Sequence, residues 1–127
     1  MEDFVSFELA KKLKEKGFSE RTFGAYIPPV KLVHFPLLYS LKNWNKEENV
    51  YSAPTISQVL KWLRIEKDLN IEIVASSFGY SYIISKTPSF GGADVKFSEF
   101  EGPNDSGAWD EWEEAALAGI EYVLNLI

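Results

Sequence analysis

At 127 residues, 46% hydrophobic and 15% aromatic, the chain has the length of one domain and enough apolar side chains for a proper core, which excludes an intrinsically disordered segment. With no cysteine it has no disulfide framework, no thiolate nucleophile and no cysteine metal site. The net charge of −6 is uneven: from Asp94 onward nine acidic residues face one basic, while the other 93 carry ten acidic and twelve basic, which argues against duplex binding by a cationic face of the whole molecule.

Met1-Glu2-Asp3-Phe4 is acidic where a signal peptide is basic, and no apolar run reaches the length of a membrane span, so a cytoplasmic protein without a membrane partner is expected. Ser6 is placed to cap a first helix, with Glu8 where the helix dipole favours an anion. Phe7, Leu9, Ala10 and Leu13 form its apolar stripe, and Lys11, Lys12, Lys14 and Lys16 take the wet side and last turn. Gly17 then suits a left-handed C-terminal position, with Phe18 folding back in a Schellman-type end.

Thr22 to Ile27 reads as a short strand stopped by Pro28-Pro29, because neither proline donates to a ladder. Val30 to Ser40, interrupted by Pro36, predicts an edge strand or two short strands, and Leu41 to Asn49 a polar connection carrying Trp44. The stretch from Tyr51 to Lys86 predicts one helix followed by a hairpin. Thr55 and Gln58 form a capping box, and Ile56, Val59, Leu60 and Leu63 follow at helical spacing.

In the hairpin, a loop over Ser76 to Gly79 sets Ala75 opposite Tyr80, Ile73 opposite Tyr82 and Ile71 opposite Ile84 on the core face. Thr87 to Asp94 is expected as a loop, Val95 to Phe100 as a third strand of this half, and Glu101 to Gly107 as another loop. Asp110 and Glu113 are expected to cap a last helix whose stripe is Trp112, Ala116, Ile120, Val123, Leu124 and Ile127. Ala115, Ala116 and Gly119 are small enough for close approach to a sheet or another helix.

Motifs for chemistry are sparse. His34 is the sole histidine, stands among Leu32, Val33 and Phe35, and is expected to be structural. Glu47-Glu48 and Glu113-Glu114 are sequence neighbours, which diverge on a helix and so set up no acid–base pair. Gly91-Gly92 lacks the strand and helix of a dinucleotide site. In Asn104-Asp105-Ser106-Gly107 the calcium-loop register puts Gly102 at the first ligand, so a tight turn is expected instead. Trp62 and Trp112 lie on core stripes, whereas Trp44 and Trp109 fall in a loop or helix entry, where an exposed aromatic marks a contact surface.

Tyr51-Ser52-Ala53-Pro54-Thr55 with Lys61-Trp62-Leu63-Arg64, the ending Glu113-Glu114-Ala115 with Gly119-Ile120, and the opening Ser6-to-Phe18 helix resemble a group of small hypothetical proteins encoded by bacteriophages and other mobile elements of gut bacteria. In that group the two helices flank a β-hairpin in this order. The resemblance covers about half the chain, implies a phage or mobile-element origin, and brings no catalytic residues.

The expected fold is a single α+β domain over residues 1–127, an antiparallel sheet of three to five strands with about three helices packed on one face. The expected function is a non-enzymatic protein-interaction module without cofactor or metal. Its binding residues would be Trp44, Trp109, Asp105, Glu111 and Glu114, its partner a basic protein rather than nucleic acid. The alternatives are a small-ligand or nucleic-acid accessory module using the tryptophans and the basic first helix, and an enzyme whose site only the fold assembles.

Overall fold

The computed structural model describes residues 4–27, 31–34, 42–46, 48–86, 94–99, 102–104 and 107–127, with 31–34 and 94–99 described by backbone. They form an α+β fold of two compact units, Met1–Thr55 with Ile127, and Ile56–Leu126. Where one sheet of three to five strands was expected, the described residues form two three-stranded antiparallel sheets.

The first unit opens with α1 (Phe7–Glu15). The Ser6 hydroxyl accepts the Leu9 N–H at 3.3 Å, and Leu9, Ala10 and Leu13 are buried, as their spacing predicts. At the other end the Phe18 N–H bonds the Leu13 carbonyl (2.9 Å) and the Gly17 N–H that of Lys14 (3.2 Å), the two bonds of a Schellman end. Gly17 has φ +88°, where a Cβ is disfavoured, and Phe18 is 1% exposed. The helix packs against β3 (Tyr51–Ala53) of a sheet ordered β2-β1-β3, with β1 at Gly24–Ile27 and β2 at Lys31–His34.

The sequence pattern did not reveal β3: the residues that read as a lead-in to the next helix pair with β1, Tyr26 opposite Tyr51 and Gly24 opposite Ala53. Strand β2 lies at the sheet edge, as Pro36 suggested. Thr22, expected within the first strand, instead forms a separate bridge with Lys42.

In the second unit α2 (Ile56–Glu66) buries Ile56, Val59, Trp62 and Leu63. Strands β4 (Leu69–Ser76) and β5 (Gly79–Lys86) form the expected hairpin in the expected register, Ile71 opposite Ile84, Ile73 opposite Tyr82 and Ala75 opposite Tyr80. They are joined through the two-residue turn Ser77-Phe78 in place of the expected four-residue loop, and Ala75 is exposed where the core face was expected. The third strand, β6 (Asp94–Glu99), pairs with β5 through a register shift at Ile84/Ser85. Helix α3 (Trp112–Leu126) buries Ala115, Ala116, Gly119, Ile120, Val123 and Leu124 and packs on β4 and β5, and α2 packs on α3 and β4. Trp112 is only half-buried, and Ile127 is 38% exposed. Of the loop predicted at Thr87 to Asp94, residues 87–93 lie outside the described residues, as does Phe100, while Asp94 is the first residue of β6.

Candidate functional site

The binding candidates fall in both units, and the fold uses most of them internally. Trp44 starts a 3-10 turn (Trp44–Lys46), is half-buried, and donates its indole N–H to the Thr22 carbonyl at 3.0 Å. The Lys42 ammonium lies 4.3 Å from its ring centroid. A tryptophan with its polar tip bonded and its face covered by a cation anchors this segment.

Its neighbour Asn45, which the sequence did not single out, joins three segments. The side-chain amide donates to the Phe18 carbonyl (2.8 Å) and accepts from the Ser52 N–H (2.8 Å), while the Asn45 N–H reaches the Ser52 hydroxyl (3.1 Å). Its partners lie 27 and 7 positions away, so no local pattern announces it.

Trp109 precedes α3 and is held by main chain and ring together. It exchanges backbone hydrogen bonds with Tyr80 at 2.7 and 2.8 Å, and its indole stacks on the Tyr82 ring at 5.7 Å and 28°. Asn104 reinforces the junction, donating from its amide nitrogen to the Phe78 carbonyl (2.8 Å) and the Asp110 carboxylate (2.7 Å). The expected tight turn is present as a Gly107 N–H to Asn104 carbonyl bond of 2.9 Å. Phe78, at the hairpin tip, is 47% exposed.

The helix cap is one residue later than the sequence suggested. Helix α3 begins at Trp112, and the Glu114 carboxylate accepts the Glu111 backbone N–H at 3.1 Å. Glu111 and Glu114 are therefore the capping pair, and Asp110, expected in that role, binds Asn104. Asp110, Glu111 and Glu114 are exposed together beside the positive end of the helix dipole. Asp105 lies outside the described residues, as does the side chain of His34, whose backbone ends β2 opposite Gly24.

The first unit also holds an aromatic group that sequence spacing did not find. The Phe7 ring meets Tyr26 at 5.5 Å and Tyr51 at 5.4 Å, both edge-on, with Lys11 over Phe7 (5.3 Å) and Lys14 over Tyr51 (4.8 Å). Lys14 also donates to the Val50 carbonyl at 2.8 Å. The Tyr26 hydroxyl donates to the Val5 carbonyl (2.8 Å), and burial raises its pKa above the ordinary tyrosine value.

Among the described residues no three His, Asp or Glu side chains are grouped to hold a metal ion, and no helix is long and apolar enough to cross a membrane. Compared with family models, curated proteins and solved structures, the chain matches none.

Proposed function

We propose that the chain is a non-enzymatic protein-interaction module, of phage or mobile-element origin and cytoplasmic, that docks a basic partner protein through its second unit. The observation that carries this reading is the division of charge. Met1–Thr55 with Ile127 has eight Lys and Arg against seven Asp and Glu, a net of +1, whereas Ile56–Leu126 has five against twelve, a net of −7. The exposed carboxylates Asp110, Glu111 and Glu114 are part of that excess. Such a field speeds encounter with a cationic partner and repels acidic ones.

The test compares wild type with an Asp105→Asn, Glu111→Gln, Glu114→Gln triple variant, in which the glutamine at position 114 still offers the cap an acceptor oxygen. Each is immobilised and exposed to host lysate at rising salt, and the retained proteins are identified by mass spectrometry. Basic proteins should be retained by wild type, lost as the screening length shrinks below about 8 Å, and held less well by the variant. Equal retention and equal salt dependence would refute the reading.

A second reading, a small-ligand or nucleic-acid accessory module, is favoured by the lysine-topped rings of Phe7 and Tyr51, with Tyr26 edge-on to Phe7. It ranks lower because Lys14 is already bonded to Val50. We further read the 127 residues as one domain with the helices on one face. In a variant that keeps Trp44 and replaces the other three tryptophans with phenylalanine, coincident unfolding curves from Trp44 fluorescence and from that same variant's far-UV signal would support that reading.

A further inference from the structure

The two sheets end in four outer strands, and one differs from the rest. Strand β2 has four residues between Pro28-Pro29 and Pro36, and β3 has three and runs into Pro54. Strand β6 breaks register against β5 and carries Asp94, Lys96 and Glu99 among its six residues. Shortness, proline, irregular pairing and charge are the devices by which sheet edges avoid pairing with other chains. Strand β4 has eight residues in unbroken register with β5, no proline, no lysine and one charge, Glu72. Among the described residues it is paired along one edge only.

The backbone geometry of that edge follows from the hairpin. Ser76 opposes Gly79 across the two-residue turn Ser77-Phe78, which makes theirs the hydrogen-bonded kind of pair. Bonds to β5 then recur at Val74, Glu72 and Asn70, so the N–H and C=O groups of Ile73 and Ala75 point away from β5. The strand is accessible there: Glu72, Ala75 and Ser76 are exposed and Ile73 and Val74 half-buried, whereas Ile71 is buried.

We propose that residues 72–76 of β4 take up an extended, basic segment of the partner protein as an added antiparallel strand. This rests on the basic-partner reading above and names the element that docks. Charge selects the occupant. A second copy of the chain would bring another unit of net −7 and, paired about Ile73, set the two Glu72 side chains on neighbouring diagonal positions. A segment with Lys or Arg opposite Glu72 and an apolar residue opposite Val74, two positions along on the same face, has neither penalty. Backbone bonds supply the docking, and Glu72 supplies the preference among sequences.

Backbone amide exchange, followed by NMR on the full chain, tests this with three ten-residue peptides. One, the valine–lysine peptide, repeats Lys-Thr-Val-Thr, so that lysine and valine alternate along one face; the glutamate peptide repeats Glu-Thr-Val-Thr; and the third is the valine–lysine peptide N-methylated on all its amides. With the valine–lysine peptide at ten times its Kd, exchange at Ile73 and Ala75 should slow about ten-fold. The glutamate and N-methylated peptides should leave both rates unchanged. Ala75→Pro, which removes an outward donor and no bond to β5, should abolish the protection. The N-methylated peptide serves the same purpose if that variant does not fold.

No binding of the valine–lysine peptide overturns the proposal and leaves the lysate experiment as the separate test of the basic-partner reading. Binding that perturbs only the start of α3 overturns strand addition while the basic-partner reading stands. Equal protection by the glutamate peptide overturns the basic occupant. Protection without peptide that rises with protein concentration overturns it in favour of a second copy.

Discussion

Gly119→Ala is the sharpest test of how α3 meets its sheet. In an exposed helix interior this change stabilises by about 1 kcal/mol, because alanine loses less backbone freedom on folding. At position 119 the added Cβ would lie 3.0 Å from Ile71 Cγ2, 3.1 Å from Tyr82 Cγ and 3.4 Å from Tyr82 Cβ. Both side chains are in the core, at 8% and 2% exposure, on adjacent strands β4 and β5. The crowded atoms stand one or two bonds from the main chain, so no rotamer change at a flexible tip relieves them. The helix and sheet must move apart, and overpacking of this kind costs about 1–3 kcal/mol.

The net expectation is a loss of about 1 kcal/mol, seen as a fall of about 0.5 M in the urea midpoint with an unchanged slope. In an Ile71→Ala background, which removes one of the contacts, the same change should cost less, and the difference measures the coupling. A midpoint that rises on Gly119→Ala in the wild-type background would refute the close approach as the reason for glycine here.

Asn45→Ala should destabilise by about 2 kcal/mol, since it leaves the Phe18 carbonyl and the Ser52 N–H without the amide; thermal unfolding measures it. Glu114→Gln should leave the melting point nearly unchanged and Glu114→Ala lower it by about 2–4 °C, because only the former keeps an acceptor for the Glu111 N–H. For Tyr26 the raised pKa fixes the sign of an alkaline effect. Above about pH 10 the unfolded chain ionises this phenol while the folded protein still holds its proton, so stability falls as pH rises toward the folded value. Tyr26→Phe should therefore show a shallower loss of stability in that window, measured by denaturant unfolding from pH 9 upward.

What was legible in the sequence was local. Ser6, Gly17 and Phe18 announce both ends of α1 because a cap involves residues within one turn, and the β4–β5 register follows from alternation across a short turn. Strand β3 was hidden because three residues carry no period, and its partner is β1, far back in the chain. The α3 cap was misplaced by one because Asp110-Glu113 and Glu111-Glu114 have the same spacing, and only the fold turns Asp110 toward Asn104.

The candidate site was legible as residue types and not as roles. Trp44 and Trp109 stood out as unplaced aromatics, yet Thr22 and Tyr82 engage them from distant segments. The unguarded edge of β4 was present in the predicted hairpin, but it becomes distinctive only when the other strand ends are known.

The pairing pattern also sets an order in time. Strands β4 and β5 meet across Ser77-Phe78, whereas β1 cannot meet β3 until the chain between Tyr26 and Tyr51 has been gathered. The longer closure costs about 1.5 kcal/mol more in chain entropy, roughly a ten-fold handicap in rate before any other barrier. In refolding, amides of β4 and β5 should gain protection first and those of β1 and β3 later, although β1 and β3 leave the ribosome ahead of them.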